Sequence, residues 1–165
     1  MCGRMSTILV LYDSKGGNTK RLAEALALGA REIGAKVSVQ SVEKATVEDL
    51  VAADGIAAGS PVYFGSMSSA MKAFWDRSVT VREKLANKVG AAFVTAGHLA
   101  GGRETALLSV LQAMLMHEMV VIGDPIRLGG HYGVSCVGSP TEEDIEAARA
   151  LGRRLAQVAA RMCVP

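Results

Sequence analysis

Apolar and polar positions change period several times along the chain, and each change marks an element. Thr7–Tyr12 (TILVLY) is a continuous apolar, partly β-branched run, the pattern of a strand buried on both faces. After the polar stretch Ser14–Thr19, Leu22, Leu26, Ala30 and Ile33 recur at helical spacing opposite Lys20, Arg21, Glu24 and Arg31, and Gly34 closes this amphipathic helix. Lys36–Ser41 alternates as an edge strand does. Thr46–Ala53 reads as a short helix with Thr46 and Asp49 in capping-box spacing, and Gly55–Gly59 as a strand of small residues. The alternation then repeats. Met67–Arg77 predicts a helix burying Met71, Phe74 and Trp75, Val89–Val94 a strand, and Arg103–Glu118 a helix with Leu107, Val110, Leu111, Met114 and Leu115 inward. Met119–Ile122 is the expected fifth strand, Gly123–Gly133 a loop, and Val134–Val137 a return to extended chain. Ser139-Pro140-Thr141-Glu142 then opens a last helix with a capping box and a proline in its first turn. Its core face is predicted at Ile145, Ala148, Leu151, Leu155, Val158 and Met162.

Strands each followed by a helical segment predict an α/β fold of three layers, because right-handed crossovers place helices on both faces of an open, five-stranded parallel sheet. A length of 165 residues, 50% hydrophobic, suits a single domain over residues 1–165. Eighteen Lys and Arg against sixteen Asp and Glu leave a charge of +2 without runs of one sign, which argues against a nucleic-acid partner. No apolar stretch approaches the roughly 18 residues of a membrane span, and Met1–Ser6 is too short and polar for a secretory leader, so the expected location is cytoplasmic. Cys2, Cys136 and Cys163 are odd in number and lack CxxC spacing, so neither a disulfide framework nor a metal site is expected. Ligands of such sheets bind outside the carboxyl ends of the strands. That directs attention to Asp13–Thr19, Ser60–Ser66, Thr95–Gly102 and Gly123–Gly133.

The first of these loops, Ser14-Lys15-Gly16-Gly17-Asn18-Thr19, leads straight from the buried strand into a helix N-terminus, where backbone N–H groups lack helical partners and favour an anion. The same residue types also serve as ordinary caps and turns. No GxxxxGK[ST] run exists, which argues against nucleoside triphosphate hydrolysis. Gly16-Gly17 lacks GxGxxG spacing, and the second strand ends in Gln40-Ser41 without an acid, which argues against a dinucleotide fingerprint. The third strand is followed by Ser60-Pro61 rather than an aspartate, so a phosphoacceptor receiver is not expected either. A mononucleotide phosphate suits the loop better.

Ser14-x-Gly16-Gly17-x-Thr19 resembles the flavodoxin phosphate loop, and Gly59-Ser60-Pro61-Val62-Tyr63-Phe64-Gly65-Ser66-Met67 resembles the flavin-flanking segment of flavodoxin-like NAD(P)H:quinone oxidoreductases of the tryptophan-repressor-binding-protein type. Thr95-Ala96-Gly97-His98-Leu99-Ala100-Gly101-Gly102-Arg103-Glu104 is similar to that family's third flavin loop. Leu115–Val120, with His117, and Gly130-His131-Tyr132-Gly133 are similar to its later segments.

The resemblance implies a sheet of order 2-1-3-4-5, FMN as cofactor, NAD(P)H as electron donor and a quinone or other small molecule as acceptor. It implies that Ser14, Lys15, Gly16, Gly17, Asn18 and Thr19 hold the phosphate. Pro61, Val62, Tyr63, Phe64 and Gly65 would flank the ring, joined by Thr95, Ala96, Gly97, His98, Gly101, Gly102 and His131. Backbone N–H groups of Gly97, Gly101 or Gly102 would then meet the pyrimidine edge of the flavin, where charge gathers on reduction. His117 and Tyr132 are the catalytic candidates, with His117 as proton donor to the quinone; a helix-terminal histidine satisfying last-turn carbonyls is the other reading of His117. Arg103 stands open between dinucleotide phosphates, Glu104 and solvent. Two excursions usual in these quinone reductases are absent, and the chain has the length of an electron-carrier flavodoxin. A one-electron carrier serving redox protein partners therefore stands as the alternative, with a regulatory flavin-binding module and a homo-oligomer as further expectations.

Overall fold

The computed structural model describes residues 5–162, so the expectations on Cys2 and Cys163 lie outside the described residues. The strands are β1 (Thr7–Tyr12), β2 (Lys36–Ser41), β3 (Gly55–Pro61), β4 (Val89–Ala96), β5 (Val120–Ile122) and β6 (Val134–Val137). The helices are α1 (Asn18–Glu32), α2 (Val47–Ala52), α3 (Ser69–Arg77), α4 (Arg103–Leu115) and α5 (Glu142–Met162). All pairings are parallel, in the order β2-β1-β3-β4-β5, with β6 also on β4. This is the flavodoxin-like arrangement.

Because side chains alternate across a strand, β1 serves two cores at once. Ile8 and Val10 pack with Leu22 and Leu26 of α1 and Leu151 and Leu155 of α5. Leu9 and Leu11 pack on the other face with Leu50, Met71, Phe74 and Val110. The α1–α5 contact is unusually close: a Cβ on Gly29 would lie 1.9 Å from the Arg149 carbonyl oxygen, and one on Gly152 would lie 1.9 Å from that of Leu26. Two mid-helix glycines, each unfavourable for a helix alone by about 0.8–1 kcal/mol relative to alanine, let the backbones touch.

The sheet has six strands where five were expected, because its fifth position is a strand broken in two. β5 pairs with Val89–Ala91 and β6 with Phe93–Ala96 of the same β4. Pro125, which has no N–H for a ladder, follows β5, and the chain leaves the sheet until Gly133. There φ is 151°, and a Cβ would lie 2.2 Å from the Ala92 carbonyl oxygen. Re-entry beside β4 thus requires glycine.

Several boundaries moved. The fourth helix stops at Leu115, not Glu118, because the chain turns with Glu118 at φ 58°, and Leu115 is left 55% exposed. Ser78–Leu85, given no element from the sequence, is a short 3-10 segment. The last helix is capped two residues later than expected, at Thr141 rather than Ser139: the Thr141 N–H donates to Asp144 Oδ2 at 2.8 Å and the Asp144 N–H to Thr141 Oγ1 at 3.2 Å, so Pro140 precedes the cap. No helix of the described residues is long and apolar enough to cross a membrane.

Candidate functional site

The β1–α1 loop folds around the Ser14 hydroxyl, which accepts hydrogen bonds from the N–H groups of Gly17 at 3.1 Å and Lys20 at 3.4 Å. Gly17 makes the turn into α1 with φ 87°, a left-handed conformation that costs a side-chain-bearing residue about 1–2 kcal/mol. The amides of Lys15, Gly16, Asn18 and Thr19 are left without a partner among the described residues. A Cβ at Gly16 or Gly17 would meet nothing within 4 Å, so the loop surrounds open space. Several unpaired N–H groups at a helix N-terminus make a seat for an anion. Thr19, 1% exposed, forms the floor, and its hydroxyl lies 2.8 Å from that of Thr95 at the end of β4.

Two further loops complete a cleft of about 440 Å³, a size suited to a small cofactor. Its wall is Ser14, Lys15, Gly16, Asn18 and Thr19 from the first loop, Pro61, Val62 and Tyr63 from the second, and Thr95, Ala96, Gly97, His98 and Gly101 from the third. The structure thereby brings together most of the residues expected to bind a cofactor. The Val62 N–H donates to the Thr95 carbonyl at 2.8 Å, joining the second loop to the third. Thr95 and Ala96 are the last residues of β4 rather than loop.

Some expected residues stand elsewhere. Tyr63 and Ser66 exchange two 3.0 Å backbone hydrogen bonds around a turn in which Phe64 has φ 49° and Gly65 φ 73°. That turn holds Phe64 fully exposed, and neither Phe64 nor Gly65 lines the cleft. Gly102 caps α4 behind it. The Gly101 N–H, one of three expected at a flavin edge, is committed to the His98 carbonyl at 3.1 Å. The sequence reading missed Gly138, which also lines the cleft and whose N–H donates to the Ala96 carbonyl at 2.8 Å. Its only signal was a glycine just after a strand.

His131 and Tyr132 lie not in this cleft but in a neighbouring one of about 630 Å³. Asp124, also missed, pins the segment that carries them. Its Oδ1 accepts the His131 N–H at 2.6 Å and its Oδ2 lies 3.3 Å from His131 Nδ1. Arg103 lines the same cleft; its Nε is buried without a hydrogen-bond partner, and among the described residues it forms no ion pair with Glu104 or any other acid.

His117 is not part of either cleft. α4 runs about 20 Å at 1.5 Å per residue, and it carries His117 from the cofactor end to the opposite end of the sheet, where the Asn87 N–H bonds the Glu118 carbonyl ahead of β4. Ser78 donates its hydroxyl proton to the Trp75 carbonyl at 2.6 Å, so the 2.7 Å contact with His117 Nε2 has the imidazole as donor. The ring sits 5.8 Å from that of Trp75. Burial holds the His117 pKa below the ordinary histidine value, and the Arg82 guanidinium adds to this while the Arg82 carbonyl opposes it. The structure thus sets His117, expected as a proton donor, apart from both clefts, in a separate surface pocket with Trp75, Val79 and Arg82. Cys136, inside β6, has its thiol pushed up to about 11 chiefly by burial and is inert for the same reason.

A flavodoxin-like sheet with a phosphate-sized nest after its first strand defines the class of this protein. It belongs to the NADPH-dependent FMN reductase family, whose profile matches residues 6–132. It is 38% identical to an NAD(P)H dehydrogenase (quinone) of Archaeoglobus fulgidus over 191 aligned positions, covering 96% of this chain and all of that one. It is 40% identical to a flavodoxin of Aquifex aeolicus, covering 93% of this chain and 86% of the relative. Among solved structures, a flavodoxin, WrbA-like protein from Agrobacterium tumefaciens superimposes with a TM-score of 0.82 at 28% identity, covering 94% of this chain and 98% of that one. A flavodoxin from the domain Archaea gives 0.79 at 28% identity, covering 93% and 98%.

Proposed function

We propose that this protein is an FMN-dependent oxidoreductase that takes electrons from NAD(P)H and delivers two of them to a quinone, in the cytoplasm. The observation that carries this reading is the group of four unpaired amides at Lys15, Gly16, Asn18 and Thr19, which opens on the 440 Å³ cleft. The residues present fit FMN. The nest seats one terminal phosphate, with Lys15 adding positive charge, and lacks the spacing for a pyrophosphate. A Cβ at Gly97 would meet nothing within 4 Å, so backbone lies bare along this wall, as a flat ring edge needs. When bound, FMN supplies a centre that accepts hydride and passes on two electrons.

The chain's own residues bind and orient. The Thr19–Thr95 pair shares one hydrogen bond and retains a second proton for a phosphate oxygen. The Gly97 N–H, without a partner among the described residues, is placed to support negative charge on the pyrimidine edge. Tyr63, about half exposed, forms an aromatic wall.

A second reading, a one-electron carrier between redox proteins, is favoured by size. The alignment with the Archaeoglobus quinone dehydrogenase spans 191 positions against 165 residues here, so that relative carries residues this chain lacks. Anaerobic mixing of FMN-loaded protein with NADH and NADPH, then with benzoquinone, tests both. Rapid loss and return of flavin absorbance is the result expected. Flavin that neither nucleotide reduces, but that a reductase protein reduces in one-electron steps, would establish the carrier instead.

A further inference from the structure

The 630 Å³ cleft beside the cofactor cleft is larger than the cofactor cleft itself and has a defined charge pattern. Arg103 and Glu104 enter from the first turn of α4, His131 and Tyr132 from the segment pinned by Asp124, and Glu143 and Asp144 from the first turn of α5. The two linings come together at the β4–α4 junction, since Gly101 faces one cleft and Arg103 the other. Arg103 is the unexplained member. It is only partly exposed, its Nε is buried without a partner, and Glu104 does not pair with it. A guanidinium offers several donors in a rigid fork suited to phosphate or carboxylate. Here that fork faces a cleft, unpaired.

The remaining charge has the opposite sign. Glu104, Glu143 and Asp144 share the cleft with one arginine, while Asp124 and His131 hold each other. Such a lining accepts one diphosphate at the arginine and hydroxyl donors at the carboxylates. It disfavours a further dianion, because like charges brought together without compensation act against the ligand that carries them. Resting on the reading of the protein as an NAD(P)H-dependent flavoprotein, we infer that this cleft takes the adenosine diphosphate half of the donor. Arg103 holds the diphosphate and the carboxylates take ribose hydroxyls, so NADH is selected over NADPH.

The test uses FMN-loaded protein and three donors: NADH, NADPH and N-benzyl-1,4-dihydronicotinamide, which carries no phosphate. Calorimetric titration with ADP-ribose supplies a readout apart from turnover. ADP-ribose is expected to bind the wild type and compete with NADH, and kcat/KM for NADH to exceed that for NADPH at least tenfold. Arg103→Gln should weaken ADP-ribose at least tenfold and lower kcat/KM for NADH by a similar factor relative to the benzyl donor. Glu143→Lys should raise kcat/KM for NADPH relative to NADH severalfold. Oxidation of NADH without binding of ADP-ribose, a wild-type preference for NADPH, or equal loss for NADH and the benzyl donor in Arg103→Gln would overturn the inference while leaving the flavoprotein reading intact. Failure of all three donors to reduce bound flavin would overturn that reading, and the inference with it.

Discussion

The hydroxyls of Thr19 and Thr95 stand 2.8 Å apart, although 75 residues separate them in the chain, and both are more than nine-tenths buried. The contact fastens the first turn of α1 to the end of β4 on the floor of the cofactor cleft. It joins the part that would hold a phosphate to the part that would face the ring.

Thr19→Ala should weaken FMN by about ten- to a hundredfold, the equivalent of roughly 1.5–3 kcal/mol for a hydrogen bond to a charged group. Thr19→Ser should recover most of that loss, since it restores the hydroxyl. Gly17→Val should lose affinity as well, through strain at φ 87°. Titration of the apoproteins measures all three, and equal affinities would reduce the loop to a helix cap.

His117→Gln should leave FMN affinity and quinone turnover within about twofold, because the side chain lies at the opposite end of the sheet. Stability carries the effect instead. A folded pKa below the unfolded value near 6.5 means that the unfolded chain binds the extra proton first. The contribution of neutral His117 is therefore complete above about pH 6.5 and is lost as the pH falls toward its lowered folded value. Urea midpoints of the wild type should drop over that interval, with a shallower slope in His117→Gln.

Gly152→Ala places a methyl group where the Leu26 carbonyl oxygen lies 1.9 Å away, and α1 must move. Helix propensity alone would favour the alanine by about 0.8–1 kcal/mol. Overpacking, at about 1–3 kcal/mol, outweighs it. Chemical denaturation should show a net loss of stability, and a more stable variant would contradict the contact.

Asp124→Ala removes both acceptors that hold His131 and leaves a backbone N–H unpaired, a cost of roughly 1–3 kcal/mol. Amide hydrogen exchange should quicken across residues 123–133 while the core of β1 and β3 stays protected. FMN affinity should be nearly unchanged, because Asp124 does not line the cofactor cleft.

Periodicity and local chemistry were enough to reveal the succession of strands and helices and the first loop. The continuous apolar run Thr7–Tyr12 declares a strand buried on both faces wherever it sits, and Ser14–Thr19 after it is a local feature, since cap and nest depend on residues adjacent in sequence. The resemblance carried by Pro61–Met67 and Thr95–Glu104 pointed to the same cleft. Only the tertiary structure decided what depends on distance between elements. His117 sits in a segment that resembles a catalytic one, but the length of α4 places it beyond reach of the cofactor end. Phe64, expected to flank the ring, is held fully exposed by a turn in which its own φ is positive. Val134–Val137 could be read as extended chain, yet its pairing with the free half of β4 arises only because β5 ends after Ile122 and leaves Phe93–Ala96 open. Asp124 gave no local signal, and Arg103 stood open among three roles, since the worth of a buried carboxylate or an unpaired guanidinium lies in what the fold brings beside it.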